Sequence, residues 1–224
     1  MRKRRELFAP AIVLTARQTA GRGRAGNTWW SNAGVLTVTF ALAAEEHLAP
    51  HQLPLVAGLA VRNAAAELTG NPAIGLKWPN DVVCGGLKLA GLLCERLDRL
   101  DLIGVGLNVN LNPFEAPPTL RRRITSLATL ATASLDMTQV LVVLARHMRQ
   151  TISRRNHHPF ASLIEEYRNH HALTGCTVTV AVPGSQSPAL RGRCEGLDDS
   201  GRLLIRSGGR LHPVVTGSVC STGD

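Results

Sequence analysis

Aromatic side chains are scarce in this chain: three Trp, one Tyr and four Phe in 224 residues. Few rings remain for stacking on bases. With no helix-turn-helix segment and no zinc-knuckle spacing, specific DNA binding is not expected, despite a formal charge of +9. That charge reflects a deficit of acidic residues, 16 against 25 Lys and Arg. The basic residues are scattered apart from Arg2-Lys3-Arg4-Arg5 and Arg121-Arg122-Arg123, a distribution that suits anionic ligands or partners. No Cys-x-x-Cys pair occurs among Cys84, Cys94, Cys176, Cys194 and Cys220, and an odd number of unclustered thiols fits a reduced, cytoplasmic protein. The histidines include His157-His158 and His170-His171 but no His-Glu-x-x-His. Adjacent residues on a helix do not face one site, so these pairs read as solvated helix-end residues rather than metal ligands. No apolar run approaches the roughly 18 residues a membrane-spanning helix needs. The basic start followed by residues 7–14 imitates a signal peptide, but Glu6 and Pro10 interrupt it; a first buried strand over residues 11–16 is the better reading.

What the sequence has instead is a concentrated loop. Between Gln18 and Trp30 lie Gly21, Gly23 and Gly26, Arg22 and Arg24, and Trp29, with no helical or strand-like period. Glycines let backbone N–H groups approach a ligand, and guanidinium groups grip phosphate or carboxylate oxygens two at a time. Gly21-x-Gly23-x-x-Gly26 has the spacing of the dinucleotide-binding fingerprint, which requires a strand before it and a helix after it. Here a strand-like run over residues 35–40 follows, so that reading is rejected. A Walker loop is excluded because Gly-Lys-Ser/Thr occurs nowhere in the chain. Taken alone, the cluster also fits a charged surface hairpin.

Apolar β-branched residues predict a strand over 35–42. Leu53, Val56, Ala57, Ala60, Val61, Ala64 and Leu68 then mark one face of a helix stopped by Gly70 and Pro72. Strands over 74–77, 81–84 and 87–95 follow, the last two joined by a tight turn at Gly85-Gly86, which is expected to put Lys77 and Lys88 on neighbouring strands. A further strand is expected over 100–110, where Gly104 and Gly106 admit either a ligand or another backbone. Asp136, with Gln139 three residues on, resembles a capping box opening an amphipathic helix that lies on the sheet; a second helix is expected over 159–171. From Thr177 the pattern alternates in short pieces separated by Pro183-Gly184, residues 198–201 and Gly208-Gly209, which predicts a β-barrel of about fifty residues.

Four motifs, in order, resemble the catalytic domain of biotin protein ligases. They are Gly21 to Trp29 (Gly-Arg-Gly-Arg-x-Gly-x-x-Trp), Lys77-Trp78-Pro79-Asn80-Asp81, Lys88 to Glu95 (Lys-Leu-x-Gly-x-Leu-x-Glu), and Gly104-Val105-Gly106-Leu107-Asn108. The resemblance implies an α+β fold, a mixed β-sheet with helices on one side as in class II synthetases over residues 1–174, then an SH3-like barrel over 175–224. It also implies an activity, the joining of biotin to one lysine of a biotin carboxyl carrier domain of acetyl-CoA carboxylase or a similar carboxylase, with ATP and Mg²⁺, through biotinyl-5'-AMP.

By the same resemblance, Lys77, Arg22 and Arg24 are the catalytic cations, and Gln18, Gly23 and Gly91 complete the biotin side. Gly21, Gly26, Trp29, Asn80, Lys88 and Asn108 fall on the nucleotide side. Asp81 either joins them or holds its turn, and Trp30, outside the motif, is read as packing. The family's Asp-Ser-Thr-Asn-like segment has no match before Gln18, so the resemblance runs from Ala11 onward. Biotin binding is expected to be weaker by roughly 1–3 kcal/mol per missing hydrogen bond. The implied protein is a cytoplasmic ligase without a DNA-binding domain, a homodimer being possible; the alternative is a truncated, catalytically impaired relative that binds nucleotide or carrier without turnover.

Overall fold

The computed structural model describes residues 9–44, 48–157, 160–182 and 188–221. The basic start, His158 and the expected Pro183-Gly184 turn lie outside them.

The first sheet is built from β1 (Ala11–Thr15), β2 (Val35–Ala43), β3 (Ile74–Lys77), β4 (Asp81–Cys84), β5 (Leu87–Leu97) and β6 (Leu100–Asn108), in spatial order β1-β2-β6-β5-β4-β3. The expected mixed character is slight: every pair of these strands is antiparallel, and among the described residues parallel contact is confined to the isolated bridges Leu76–His171 and Lys88–Ile124. Short hairpin links from β3 through β6 leave no room for the long crossover that parallel neighbours need. The expectation that Lys77 and Lys88 occupy neighbouring strands is corrected, because β4 stands between β3 and β5. Residues 78–80 already close a hairpin from β3 to β4, and Gly85-Gly86, both at positive φ, close the next.

Helix α1 (Leu53–Thr69) is rich in small residues and buried on almost every side, so it packs on β3 to β6 while taking other helices on its opposite face. A short helix, α2 (Leu127–Ala131), was not expected; Ser126 Oγ caps it by accepting from the Thr129 N–H at 3.3 Å. One turn and a half is too short for an apolar period to show. Asp136 caps α3 (Met137–His157), accepting from the Gln139 N–H at 2.7 Å. The main contact of α3 is α1 rather than the sheet, because α1 already covers that apolar face. Helix α4 (Phe160–Asn169) buries Leu163, Ile164 and Tyr167.

The second sheet holds β7 (Thr177–Ala181), β8 (Leu190–Leu197), β9 (Leu203–Ser207), β10 (Arg210–Val214) and β11 (Ser218–Ser221), in order β10-β9-β8-β7-β11. A sheet this small cannot bury enough apolar surface alone. Its Val178, Val180, Leu203 and Ile205 therefore join one continuous core with the first sheet and its helices. Hydrogen bonds seal the junction: Trp78 Nε1 donates to the Gly201 carbonyl (3.1 Å), Arg168 Nε to the Leu197 carbonyl (2.9 Å) and Gln52 Nε2 to the Ser200 carbonyl (3.1 Å).

His171 corrects the reading of its pair as solvated. It is buried, with Nδ1 2.9 Å from Thr174 Oγ1, and burial pushes its pKa down to about 4. The chain leaving α4 pairs with β3, Leu76 N–H donating to His170 (2.8 Å) and Ala172 N–H to Leu76 (2.9 Å), and this draws His171 into the interior. All five cysteines are free thiols.

Candidate active site

The glycine–arginine loop is itself a small hairpin. Trp29 N–H donates to the Gly21 carbonyl at 2.9 Å, Gly23 N–H to the Asn27 carbonyl at 2.7 Å, and Arg22 bridges to Thr28. At its tip Ala25 and Gly26 adopt left-handed φ of 55° and 78°, a turn in which glycine is favoured. The surface-hairpin reading is right about the hairpin and wrong about its surroundings, because the arginines line a cavity.

That cavity, about 980 Å³, is walled by the loop, by β2, β4, β5 and β6, and by β11 of the second sheet. Gln18, Arg22, Gly23, Arg24, Trp29, Lys77, Asn80, Lys88 and Gly91 all line it, whereas Gly21, Gly26 and Asn108 do not. Lys77 ends β3 directly across from Asp81 on β4. Arg24 donates from one terminal nitrogen to Asn80 Oδ1 (3.2 Å) and from the other to Thr216 Oγ1 (2.9 Å). Asn80 is held in turn: its Nδ2 donates to the Leu92 carbonyl at 2.7 Å, and its own carbonyl accepts from Leu92 N–H at 2.9 Å. Burial pushes the Arg24 guanidinium below its ordinary pKa, and the Asp81 carboxylate works against that shift. The neighbouring Cys94 thiol is pushed far up by burial and stays neutral.

Lys88 pairs with Asp81 at 2.7 Å and stands 5.6 Å from the centre of the Trp29 ring. The indole of Trp29 rests on glycine. A Cβ at Gly106 would fall 2.3 Å from Trp29 Cε2, and one at Gly91 3.0 Å from its Cζ3. Gly106 thus admits a ring, while Gly104, facing the Leu93 carbonyl at 3.1 Å, admits backbone. Trp29 Nε1 is buried with no hydrogen-bond partner among the described residues. Trp30 packs with Val35, Leu111, Ala116 and Ile124, as expected. Asn108 is an internal strut, donating to the carbonyls of Thr125 (2.9 Å) and Lys88 (3.3 Å).

Two contributions were not foreseen. The second sheet supplies residues 217–220 to the wall, and the run Gly217-Ser218-Val219-Cys220 carries no local pattern that shows it. Arg122 and Arg123 also line the cavity; their basic run was visible, but the pairing of Lys88 N–H with the Arg123 carbonyl (2.8 Å) that brings them there was not. Six Lys and Arg line the cavity against two acidic side chains, Asp81 and Glu95, so the site favours an anion and can stabilise negative charge that grows during a reaction.

Comparison with known proteins agrees. A model described as "Biotin/lipoate A/B protein ligase family" matches residues 2–112, and one described as "Biotin protein ligase C terminal domain" matches residues 177–223. A biotin–[acetyl-CoA-carboxylase] ligase of Mycobacterium tuberculosis is 37% identical over 214 residues, covering 93% of this chain and 77% of that one. One from Paracoccus denitrificans is 31% identical over 214 residues, covering 89% and 85%. Among solved structures, biotin protein ligase from Aquifex aeolicus in complex with biotin and ATP matches with a TM-score of 0.88 at 28% identity, covering 97% of this chain and 91% of that one. In fold, in site composition and in sequence, the chain belongs to the biotin protein ligase family.

Proposed function

We propose that this chain is a biotin–[acetyl-CoA-carboxylase] ligase that activates biotin with ATP and passes it to one lysine of a biotin carboxyl carrier domain. A carboxylate is a poor electrophile, being anionic and lacking a leaving group. Attack of a biotin carboxylate oxygen on the α-phosphorus, with loss of pyrophosphate, creates a mixed anhydride. The carrier lysine amine then attacks its carbonyl carbon, AMP departs and the amine gives up a proton. Both steps concentrate negative charge, which fixed cations stabilise more in the transition state than in the ground state.

Arg22 and Arg24, with the backbone about Gly23, clamp carboxylate and phosphate. Lys77, a compact mobile cation, bridges the two as the new bond forms. Gln18 and Gly91 complete the biotin side. Trp29, Asn80 and Lys88 meet the nucleotide, while Gly21 and Gly26 shape the hairpin and Asn108 braces the strands beneath them. The convergence of Gln18, Arg22, Arg24 and Lys77 on one cavity is the observation that carries this reading.

Mg²⁺ would come with the nucleotide substrate, held largely by its phosphates and water, and would offset phosphate charge there. Five free thiols support a cytoplasmic setting, and no helix among the described residues is long and apolar enough to cross a membrane. Two domains, residues 1–174 and 175–224, complete the proposal.

The test is biotin-dependent exchange of pyrophosphate into ATP, followed by labelling of a carrier domain. Exchange and transfer together are expected. Binding of MgATP by calorimetry with no exchange overturns the reading in favour of a non-catalytic binder.

A further inference from the structure

Arginine has a long, rotamer-rich side chain, so a guanidinium that must meet a reacting group in one geometry gains from being held in place. Arg24 is held at two points. The first is Asn80, itself locked by the backbone of Leu92. The second comes from the other sheet: Thr216, in the turn between β10 and β11, accepts from Arg24 at 2.9 Å. That turn is anchored by packing, since its next residue, Gly217, is buried so closely that a Cβ would lie 2.7 Å from Val180 Cγ1 and 3.1 Å from the Ala181 carbonyl oxygen. The threonine hydroxyl therefore stands on a rigid support although its residue is exposed. Guanidinium has five N–H donors, so the two donations to Asn80 and Thr216 do not exhaust its capacity for ligand oxygens.

We propose that Thr216 is a positioning residue for adenylate formation: through its hydroxyl the second sheet holds Arg24 in its working orientation in the cavity. This rests on the ligase reading above. It also gives the small C-terminal sheet a direct part in the chemistry, through a contact between residues 192 positions apart in the chain.

The test compares wild type with Thr216→Val, Thr216→Ser and each of these in an Arg24→Ala background, by pyrophosphate exchange and by MgATP affinity from calorimetry. Thr216→Val is expected to lower kcat/KM for exchange about tenfold, the effect of losing one hydrogen bond to a charged group. Thr216→Ser, which keeps the hydroxyl, is expected to restore it to within about twofold. In the Arg24→Ala background the valine substitution is expected to add nothing. Unchanged exchange in Thr216→Val, failure of serine to rescue, or a loss that persists without Arg24 overturns the proposal. If the wild type itself shows no exchange, the ligase reading fails and this proposal with it, whereas a wild type that exchanges beside an unaffected Thr216→Val overturns this proposal alone.

Discussion

Trp78 Nε1 donates to the carbonyl of Gly201 at 3.1 Å, so a residue inside the Lys77–Asp81 motif fastens the first sheet to a turn of the second. Trp78 is only 2% exposed, and its indole joins the common core. Replacing it by phenylalanine keeps a ring but leaves that carbonyl without its donor. We expect a stability loss of about 1–3 kcal/mol, measured by urea unfolding followed by far-UV circular dichroism. A change of a few tenths of a kcal/mol would show that the bond across the junction contributes little.

Gly104 and Gly106 make a matched pair. Alanine at 106 meets only the half-buried Trp29 side chain, which can turn off its seat about its own χ angles, so the expected cost is below about 1 kcal/mol in stability, with adenylate formation falling more than tenfold as the indole leaves its seat. Alanine at 104 meets the Leu93 carbonyl of the neighbouring strand, which cannot move freely, and about 1–3 kcal/mol of stability is expected to be lost. Thermal unfolding and exchange kinetics on both variants separate the two effects. The opposite ranking in stability would mean that the indole is wedged rather than resting.

Lys77→Ala is expected to slow adenylate formation by roughly 10²–10³, the usual consequence of removing one preorganised charge stabiliser. Lys77→Arg restores little, because a planar fork does not reproduce a compact ammonium. Transfer from chemically made biotinyl-5'-AMP to carrier in a single turnover falls much less, since the phosphorus centre has already reacted. Equal losses in the two half-reactions would remove Lys77 from the activation step.

His171 links stability to pH. Its pKa in the folded protein is about 4, against an ordinary value of 6.5, with burial as the cause. Between those two values the unfolded chain binds a proton that the folded chain refuses. Stability is therefore full above about pH 6.5 and declines as the pH falls towards 4, by an amount on the order of 3 kcal/mol. Urea midpoints across pH 4–7 in wild type and His171→Gln test this, and the variant is expected to show the shallower pH dependence. Parallel profiles would assign the acid sensitivity to other groups.

Much of this architecture is legible in the sequence. The strands over residues 35–43, 74–77 and 87–97, the long helix ended by Gly70 and the Asp136 cap follow from apolar period and local hydrogen bonding, which act over a few residues. The strand over residues 11–15 forms, but the expectation that it is buried is corrected: it lies at the sheet edge beside β2, with Ile12, Val13 and Leu14 exposed. The glycine–arginine loop announced an anion site because donors and close backbone approach are written in residue types. Helix α2 is too short to leave a period, and the burial of His171 is not written locally because it depends on where the chain passes after α4, beside β3.

The sequence by itself determined which groups were available: Arg22, Arg24, Lys77 and Lys88 as cations, Asn80 as an amide that can hold one of them, and glycines where a ring had to fit. Tertiary structure alone decided their mutual placement. It set β4 between Lys77 and Lys88, turned Asn108 inward as a strut, and brought Thr216 to Arg24 across two sheets. The physical reason is range: local pattern encodes a residue's own dihedrals and the face it buries, whereas a hydrogen bond between distant segments exists only after the shared core has fixed how the two sheets pack.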